Sequence, residues 1–379
     1  MPHMLYYARN QVGLQSVPPA NLPERGTLLI STQAIAEYDR WIDDEIEAVF
    51  RQIEGGAAGF SGADLPLYNV LRYHLGVVND RFEPERSDAG KRLRSKFCLL
   101  CCSAAGGDSR MAVPVAAAIE LLHNFTLIHD DIQDRSALRR HRPTVWAIWG
   151  VPQAINAGDA MFAAAHIALN RSGERGLSAD ITLDLSTTLH LTTLRIVEGQ
   201  VLDLSFEYRN DVGAAEYLGM IAGKTADIIR FACWAGARVS GASSEQAAAF
   251  GEFGHAIGMG FQIRDDYLGV WGAAETTGKA PADDIRRRKQ ALPILLLKER
   301  ASLAERNRIL RLYAQDELAP QDVRTVLGLL DAYEVSDSVQ LEVMRWHDRA
   351  FAMLEGLSLS GESAGTIESL LDGLVTREV

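Results

Sequence analysis

The stretch AVPVAAAIELLHNFTLIHDDIQD, residues 112–134, decides how the rest of the chain is read. Its first part, Ala112 to Ile128, is almost entirely apolar, and a helix that is apolar all round is normally buried. It ends in three carboxylates within five residues: Asp130, Asp131 and Asp134. Carboxylates are almost never buried unless paired or bound to a cation. Asp130 and Asp134 are four apart and share one helical face. Such a pair suits a hard divalent cation such as Mg²⁺, which takes oxygen ligands and keeps water or substrate phosphate in its shell. A second acidic pair, Asp265-Asp266, sits in a similar setting far downstream. Two acidic pairs on two buried helices predict two walls of one metal-filled cavity.

Bulk properties narrow the class. The chain has 379 residues, of which 47% are hydrophobic, enough for a sizeable core. Its net charge of −12 argues against nucleic acid and against an anionic membrane as partners. No window of about 20 residues is free of charged and strongly polar groups, so neither a transmembrane span nor stable membrane insertion is expected. The N-terminus lacks a compact apolar region of the secretory kind. The four cysteines are Cys98, Cys101, Cys102 and Cys233. A Cys-x-x-Cys spacing can mean metal or redox chemistry, but small buried helix residues are the simpler reading. A soluble cytoplasmic protein is expected.

Helical periodicity runs nearly throughout. Helices are expected near 28–54, 65–80, 90–106, 111–134, 151–170, 178–209, 214–239, 244–271, 290–315, 320–332, 336–355 and 362–376, with no β-alternation. Residues 1–27, with Pro18, Pro19 and Pro23, read as an irregular arm, and 28–379 as one all-α unit. The helix over 244–271 carries Gly251, Gly254, Gly258 and Gly260. Each costs about 1 kcal/mol against Ala in a helix interior, so close helix–helix approach is predicted there.

Basic and polar groups gather where the acidic pairs need counter-groups. Gly90-Lys91-Arg92-Leu93-Arg94 opens a helix, and helix N-termini favour anions. Arg139-Arg140 follow the first acidic run, Lys224-Thr225 lie mid-chain, Gln262 precedes the second pair, and Lys279 and Lys289 lie in or after a polar segment. Alone, each is a solvated charge. Together they predict sites for two polyanionic ligands, one held through metal and one held directly.

The ordered segments GKRLR (90–94), ELLHNFTLIHDDIQD (120–134), RRHRPTVW (139–146), INAGD (155–159), EGQVLD (198–203), GKT (223–225), FQIRDDYLGVWG (261–272) and TGKAPADDIRRRKQALP (277–293) resemble the trans-isoprenyl (polyprenyl) diphosphate synthase family. The resemblance spans about residues 65 to 300. It implies an all-α, isoprenoid-synthase-type bundle with a central cavity, usually a homodimer. It also implies Mg²⁺-dependent head-to-tail condensation of isopentenyl diphosphate with an allylic diphosphate. Asp130 and Asp134 resemble the main ligands of two Mg²⁺ ions, with Asp131 supporting; Asp265 resembles the ligand of a third, with Asp266 beside it. Arg139, Lys224, Gln262 and Lys279 look like allylic-diphosphate contacts. Gly90, Lys91, Arg94, His123 and Arg140 look like the isopentenyl-diphosphate site, and Thr225 like the helix-break residue that helps stabilise a carbocation. Three positions depart from the family: Gly269 stands where an aspartate is common, Ser95 where Pro is, and Ala291 where Thr is.

That chemistry needs negative charge stabilised on a leaving diphosphate and a dry pocket for the cation. No protein base is evident, so the departing diphosphate is expected to take the proton. His129 reads better as a packed neighbour of the metal site than as a base. Phe125, about 6–8 Å down the helix from Asp130, resembles the tunnel floor of synthases making about twenty carbons, although a helical wheel sets it off the carboxylate face. Geranylgeranyl diphosphate is the expected product. The alternatives are a shorter (farnesyl) or longer product, a class I terpene cyclase, a non-catalytic partner subunit, or a helical scaffold. A cyclase has no use for a second diphosphate site, a partner subunit would be expected to lose metal ligands, and a scaffold does not explain the ordered basic groups.

Overall fold

In the computed structural model, the structure describes residues 32–56, 66–88, 90–272, 281–315, 317–357, 359, 365–368 and 371. The irregular arm expected over 1–27, most of the last helix expected over 362–376, and Lys279 lie outside the described residues. The fold is all-α, as the periodicity predicts. In chain order come α1 (Thr32–Gly56), α2 (Leu67–His74), α3 (Leu93–Ala104), α4 (Val113–Gln133), α5 (Val145–Trp149), α6 (Val151–Asn170), α7 (Ala179–Phe206), α8 (Ala214–Ile221) and α9 (Asp227–Val239). Then follow α10 (Ser244–Trp271), α11 (Asp283–Arg286), α12 (Leu292–Arg300), α13 (Leu303–Tyr313), α14 (Pro320–Ala332) and α15 (Val335–Gly356).

The central helix α4 packs against α6, α3 and α1, so its apolar sides are covered. The segment Ser109–Gln133 is apolar and long enough by composition alone to cross a membrane, yet 72% of its apolar 18-residue window is buried in the protein. That makes it a core helix. On the other side α10 packs against α9 and α15. The glycine-rich α10 approaches its neighbour as closely as expected. A Cβ on Gly258 would stand 2.5 Å from the Cα of Ala226, and one on Gly254 would stand 2.6 Å from the Ile229 carbonyl oxygen. Gly251 and Gly260 meet their neighbours only at 3.4 Å, so they are not required in the same way. The four cysteines are free and buried.

Five expectations need correction, each for a local reason. The helix expected over 65–80 ends at His74, where Gly76 takes φ 77° and Val78 then bridges Pro84. The helix expected over 90–106 starts only at Leu93, because Arg92 adopts left-handed backbone (φ 52°). The helix expected over 214–239 contains a π turn at Ala222–Ala226. The helix expected over 290–315 is two helices. Ser302 caps α13, accepting from the Glu305 N–H while the Glu305 carboxylate accepts from the Ser302 N–H, the reciprocal box that starts a helix. Finally, a two-residue antiparallel ribbon pairs β1 (Leu138–Arg139) with β2 (Arg142–Pro143). Its turn residues Arg140 and His141 both have positive φ, 50° and 63°, as a two-residue hairpin matched to strand twist requires.

Candidate active site

The end of α4 carries the first acidic wall. Carboxylates there face the negative end of the helix dipole, an unfavourable place for an anion. Burial pushes the Asp130 carboxyl up to about 6; Lys224 opposes that rise and Asp134 adds to it. Asp134 caps the helix, its N–H bonded to the Asp130 carbonyl at 2.8 Å. Asp131 turns the other way. It is 2% exposed and held by Arg139, whose Nε donates to its oxygens at 2.9 and 3.1 Å and whose Nη2 lies 2.8 Å away. His129 packs against Gly158 so closely that no Cβ would fit there. Its Nε2 lies 3.7 Å from Asp159, which matches the packed role expected of it.

The π turn on the far side of α7 presents Lys224, whose Nζ donates to Asp203 Oδ2 at 2.5 Å. The turn fits because residue 199 of α7 is glycine: a Cβ there would lie 2.9 Å from the Lys224 Cα, and closer still to its backbone nitrogen. Next along the turn, Thr225 Oγ1 donates to Gln262 Oε1 at 3.0 Å. Gln262 Nε2 in turn donates to Asp266 Oδ1 at 3.2 Å. Asp266 is fully buried. It also accepts from the Tyr217 hydroxyl and, at 3.4 Å, from the Leu292 N–H. Burial lifts the Asp266 carboxyl to about 6 even against Lys289, whose Nζ stands 4.0 Å away. Burial disfavours charge on Lys289, yet Asp266, Asp284, Asp265 and Asp203 together hold its ammonium above the ordinary lysine range. Asp203 bears on the charge of both Asp130 and Lys289.

A separate basic pocket lies beside the α4 wall. Gly90 has φ +81°, and a Cβ on it would come within 2.5 Å of Arg140 Nη2. Arg94 Nη1 lies 3.3 Å from His123 Nε2, so that nitrogen accepts. Burial lowers the His123 imidazole well below its usual range, and Arg94, Arg140, Arg139 and His74 push it further down. Arg94 Nε and His74 Nε2 are buried without a hydrogen-bond partner among the described residues. Neutral imidazoles and unspent donors among converging arginines suit an incoming anion. Ser95 has a part here too: its hydroxyl donates to Glu120 Oε2 at 2.6 Å, and the Glu120 charge offsets the burial of Arg94.

Below Asp130 runs a column of rings. Phe125 lies 4.9 Å from His129 and 5.2 Å from Phe162, centroid to centroid. Phe162 is 4.6 Å from His166, which stacks on His190 at 4.1 Å.

These groups reproduce the order of motifs in one family. The profile of the family described as Polyprenyl synthetase matches residues 80–330. The chain belongs to the polyprenyl synthetase family. It is 40% identical over 225 residues to a (2E,6E)-farnesyl diphosphate synthase of Mycobacterium tuberculosis, a match covering 59% of this chain and 61% of that relative. To a short chain isoprenyl diphosphate synthase of Methanothermobacter thermautotrophicus it is 39% identical, over 77% of this chain and 94% of the relative. Among solved structures, geranylgeranyl pyrophosphate synthetase from Pyrococcus horikoshii superposes with a TM-score of 0.79 at 30% identity, covering 91% of this chain and 98% of that one.

Of the polyprenyl synthetase residues expected from sequence, Lys224 bonds to Asp203 and bears with Asp134 on the charge of Asp130, while Thr225 is linked through Gln262 to Asp266, next to Asp265 on α10. The structure gathers Gly90, Arg94, His123 and Arg140 into the adjoining pocket. Asp131 and Asp266 face inward and anchor the two walls. Sequence reasoning gave no role to Asp203, although it ends the quoted EGQVLD segment, nor to Tyr217, His74 or Asp284.

Among the described residues no three His, Cys, Asp or Glu side chains converge closely enough to hold an ion unaided. Mg²⁺ seldom uses an all-protein cage; it completes an octahedron with water and substrate phosphate. A desolvated carboxylate at Asp130, an exposed one at Asp134 and Asp265 on the second wall fit that mode of binding.

Proposed function

We propose that the protein elongates an allylic diphosphate with isopentenyl diphosphate, head to tail, to give a linear trans-prenyl diphosphate, with geranylgeranyl diphosphate as the main product. The observation that carries this reading is a pair of charged clusters, Lys224 among Asp203 and Asp130, and Arg94 and Arg140 around His123. An acidic cavity with Lys224 suits a metal-bound diphosphate, and the Arg94–His123–Arg140 pocket suits a second diphosphate without metal. A cyclase has no use for the second pocket.

In this reading Asp130, Asp134 and Asp265 hold Mg²⁺, three ions per site, and Asp131 and Asp266 keep their walls in place. The ions supply charge neutralisation on the departing diphosphate. Lys224, Arg139, Gln262 and Lys279 orient that diphosphate, while Gly90, Lys91, Arg94, His123 and Arg140 hold isopentenyl diphosphate. The allylic C–O bond breaks, the isopentenyl double bond forms the new C–C bond, and the proton it releases passes to the departing diphosphate. Thr225 and the π turn present oxygen atoms to the cation, and the apolar walls keep water from trapping it.

The growing chain runs toward the ring column, with Phe125, the first phenyl ring of that column, as its floor. Incubation with Mg²⁺, isopentenyl diphosphate and five-, ten- or fifteen-carbon primers, followed by mass spectrometry, tests the whole reading. A twenty-carbon linear diphosphate is expected. Hydrocarbon or alcohol formed without isopentenyl diphosphate would move the assignment to a cyclase. Phe125→Ala should lengthen the main product; an unchanged spectrum would remove Phe125 from the floor.

We also infer a homodimer. Leu183, Leu191, Leu194, Val197 and Val201 of α7 are exposed, as are Val151 and Ile155 of α6, the helix beside it. Apolar residues recurring along one helix in this way mark an interaction surface. Light scattering should return twice the 41.5 kDa chain mass; a monomer would refute it.

A further inference from the structure

Helix α1 contributes no group to either anion site, yet it grips the run that opens the basic pocket. Asp39 and Asp43 of α1 are four apart and share one face. Opposite them, at the start of α3, stand Arg92 and Lys96. Arg92 Nη1 lies 2.6 Å from Asp43 Oδ1 and donates to the Asp39 carbonyl at 3.3 Å. Lys96 Nζ lies 2.9 Å from Asp39 Oδ2 and donates to the Lys91 carbonyl at 2.9 Å. Both cations are buried. Two basic side chains of the run 91–96 are thus turned away to α1, while Arg94 turns to His123.

The pairing matters because of the backbone beneath it. Arg92 adopts φ 52° and ψ 35°, left-handed backbone that a residue bearing a Cβ seldom takes and that persists only where its surroundings enforce it. Asn and Asp reach this conformation through local hydrogen bonds of a short side chain. Here the long guanidinium reaches across to α1 instead. Asp43 also meets Arg86 through Oδ2 at 3.3 Å, so one carboxylate holds the loop before the run and the run itself. The left-handed turn at Arg92 sets the direction in which the chain enters α3, and just before it Gly90 lies against Arg140, where a Cβ would stand 2.5 Å from Nη2.

We propose that Asp43 is a positioning residue for the basic pocket: through Arg92 it fixes the left-handed turn from which Gly90, Lys91 and Arg94 reach the diphosphate that binds without metal. The inference rests on the elongating-synthase reading, in which that diphosphate is isopentenyl diphosphate. Asp43 touches no substrate in this scheme; its charge is spent on the guanidinium that holds the turn.

The test is steady-state kinetics of the full chain with Mg²⁺, varying isopentenyl diphosphate and the allylic primer in turn. Calorimetric titration with isopentenyl diphosphate in EDTA reads the pocket without turnover, and melting temperature checks folding. Asp43→Asn should raise KM for isopentenyl diphosphate about tenfold, within the roughly 10²-fold that a misplacement of about 1 Å can cost. Its binding in EDTA should weaken alike, while KM for the primer stays at the wild-type value. Asp43→Asn also melts lower, because a buried guanidinium loses its counter-charge. Two double variants remove that penalty and separate backbone from charge. Glycine takes left-handed backbone without support and alanine does not. Arg92→Gly with Asp43→Asn should therefore restore KM for isopentenyl diphosphate, whereas Arg92→Ala with Asp43→Asn should leave it raised. Equal values in the two double variants, or a primer KM that rises together with that of isopentenyl diphosphate in Asp43→Asn, overturn the inference and leave the synthase reading standing. Wild-type protein that neither condenses isopentenyl diphosphate nor binds it in EDTA overturns both.

Discussion

The first acidic wall takes all its carboxylates from one helix end, Asp130, Asp131 and Asp134 on α4. The second draws Asp265 and Asp266 from the interior of α10 and has Asp284 of α11 against it. In both, one aspartate is turned inward and tied down: Asp131 by a guanidinium, Asp266 by a phenol, an amide and a backbone N–H. The difference lies in the counter-charge. Asp131 is neutralised by a partly exposed arginine eight residues away in sequence. Asp266 relies on neutral donors and a lysine ammonium 4.0 Å off. A wall built on a helix C-terminus needs a full positive charge close by, because the dipole there opposes it; a wall inside a helix can be held by hydrogen bonds.

The largest effect expected from breaking this comparison is on turnover. Asp130→Asn and Asp265→Asn should each lower the condensation rate by about 10²–10³-fold, the scale seen when one group stabilising transition-state charge is removed. Rates are to be measured at saturating Mg²⁺ with both diphosphates. If Asp265→Asn alone were near wild type, the second wall would not hold an ion.

The same Asp130→Asn change should stabilise the metal-free protein. The folded-state carboxyl is lifted from its ordinary 3.8 to about 6. The folded form thus holds a proton more tightly than the unfolded chain, so charging Asp130 costs stability. That cost is fully present above pH 6 and gone below about 3.8. At 1.36 kcal/mol per unit it amounts to up to about 3 kcal/mol. Thermal melts with EDTA should show the variant melting higher at pH 7.5, with the gain shrinking as pH falls from 6 toward 4. No gain at pH 7.5 would mean Asp130 is solvated.

The first wall was legible in the sequence and much of the second was not, for a physical reason. Asp130 and Asp134 advertise themselves because a local 3.6-residue period puts them on one face of an otherwise apolar helix. Lys224, Thr225 and Gln262 are recognisable through ordered motifs. Asp284 is not, because its place beside Gly269 depends on the left-handed turn at Ala282 and on a contact between separate elements. Tyr217 was hidden likewise, as one aromatic in an amphipathic helix. Ser302 and Glu305 were a readable helix start, but continuous apolar periodicity over 290–315 masked them. Arg140 and His141 take a backbone that favours Gly and Asn, so nothing in their identity announced a hairpin.

The smallest effect expected concerns how the second wall is anchored. Tyr217→Phe removes the hydroxyl that donates to Asp266 Oδ2 and leaves the ring in place. Asp266 keeps Gln262 and the Leu292 N–H as donors, so the loss should be near the low end for a hydrogen bond to a charged group, about 1.5 kcal/mol. Its pH dependence separates anchoring from packing. The phenol favours the charged carboxylate, and burial already holds that carboxyl up at about 6; without the phenol it should move higher. The deficit is therefore full above the variant's raised value, shrinks as pH falls toward 6 and is gone well below it, where Asp266 is protonated in both. Melts of wild type and variant at pH 8 and pH 5 decide the matter. An equal deficit at both would reduce Tyr217 to a packed ring and leave Asp266 held from α10 and α12 alone, whereas a deficit confined to pH 8 would show that the second wall is anchored through a neutral donor where the first uses Arg139.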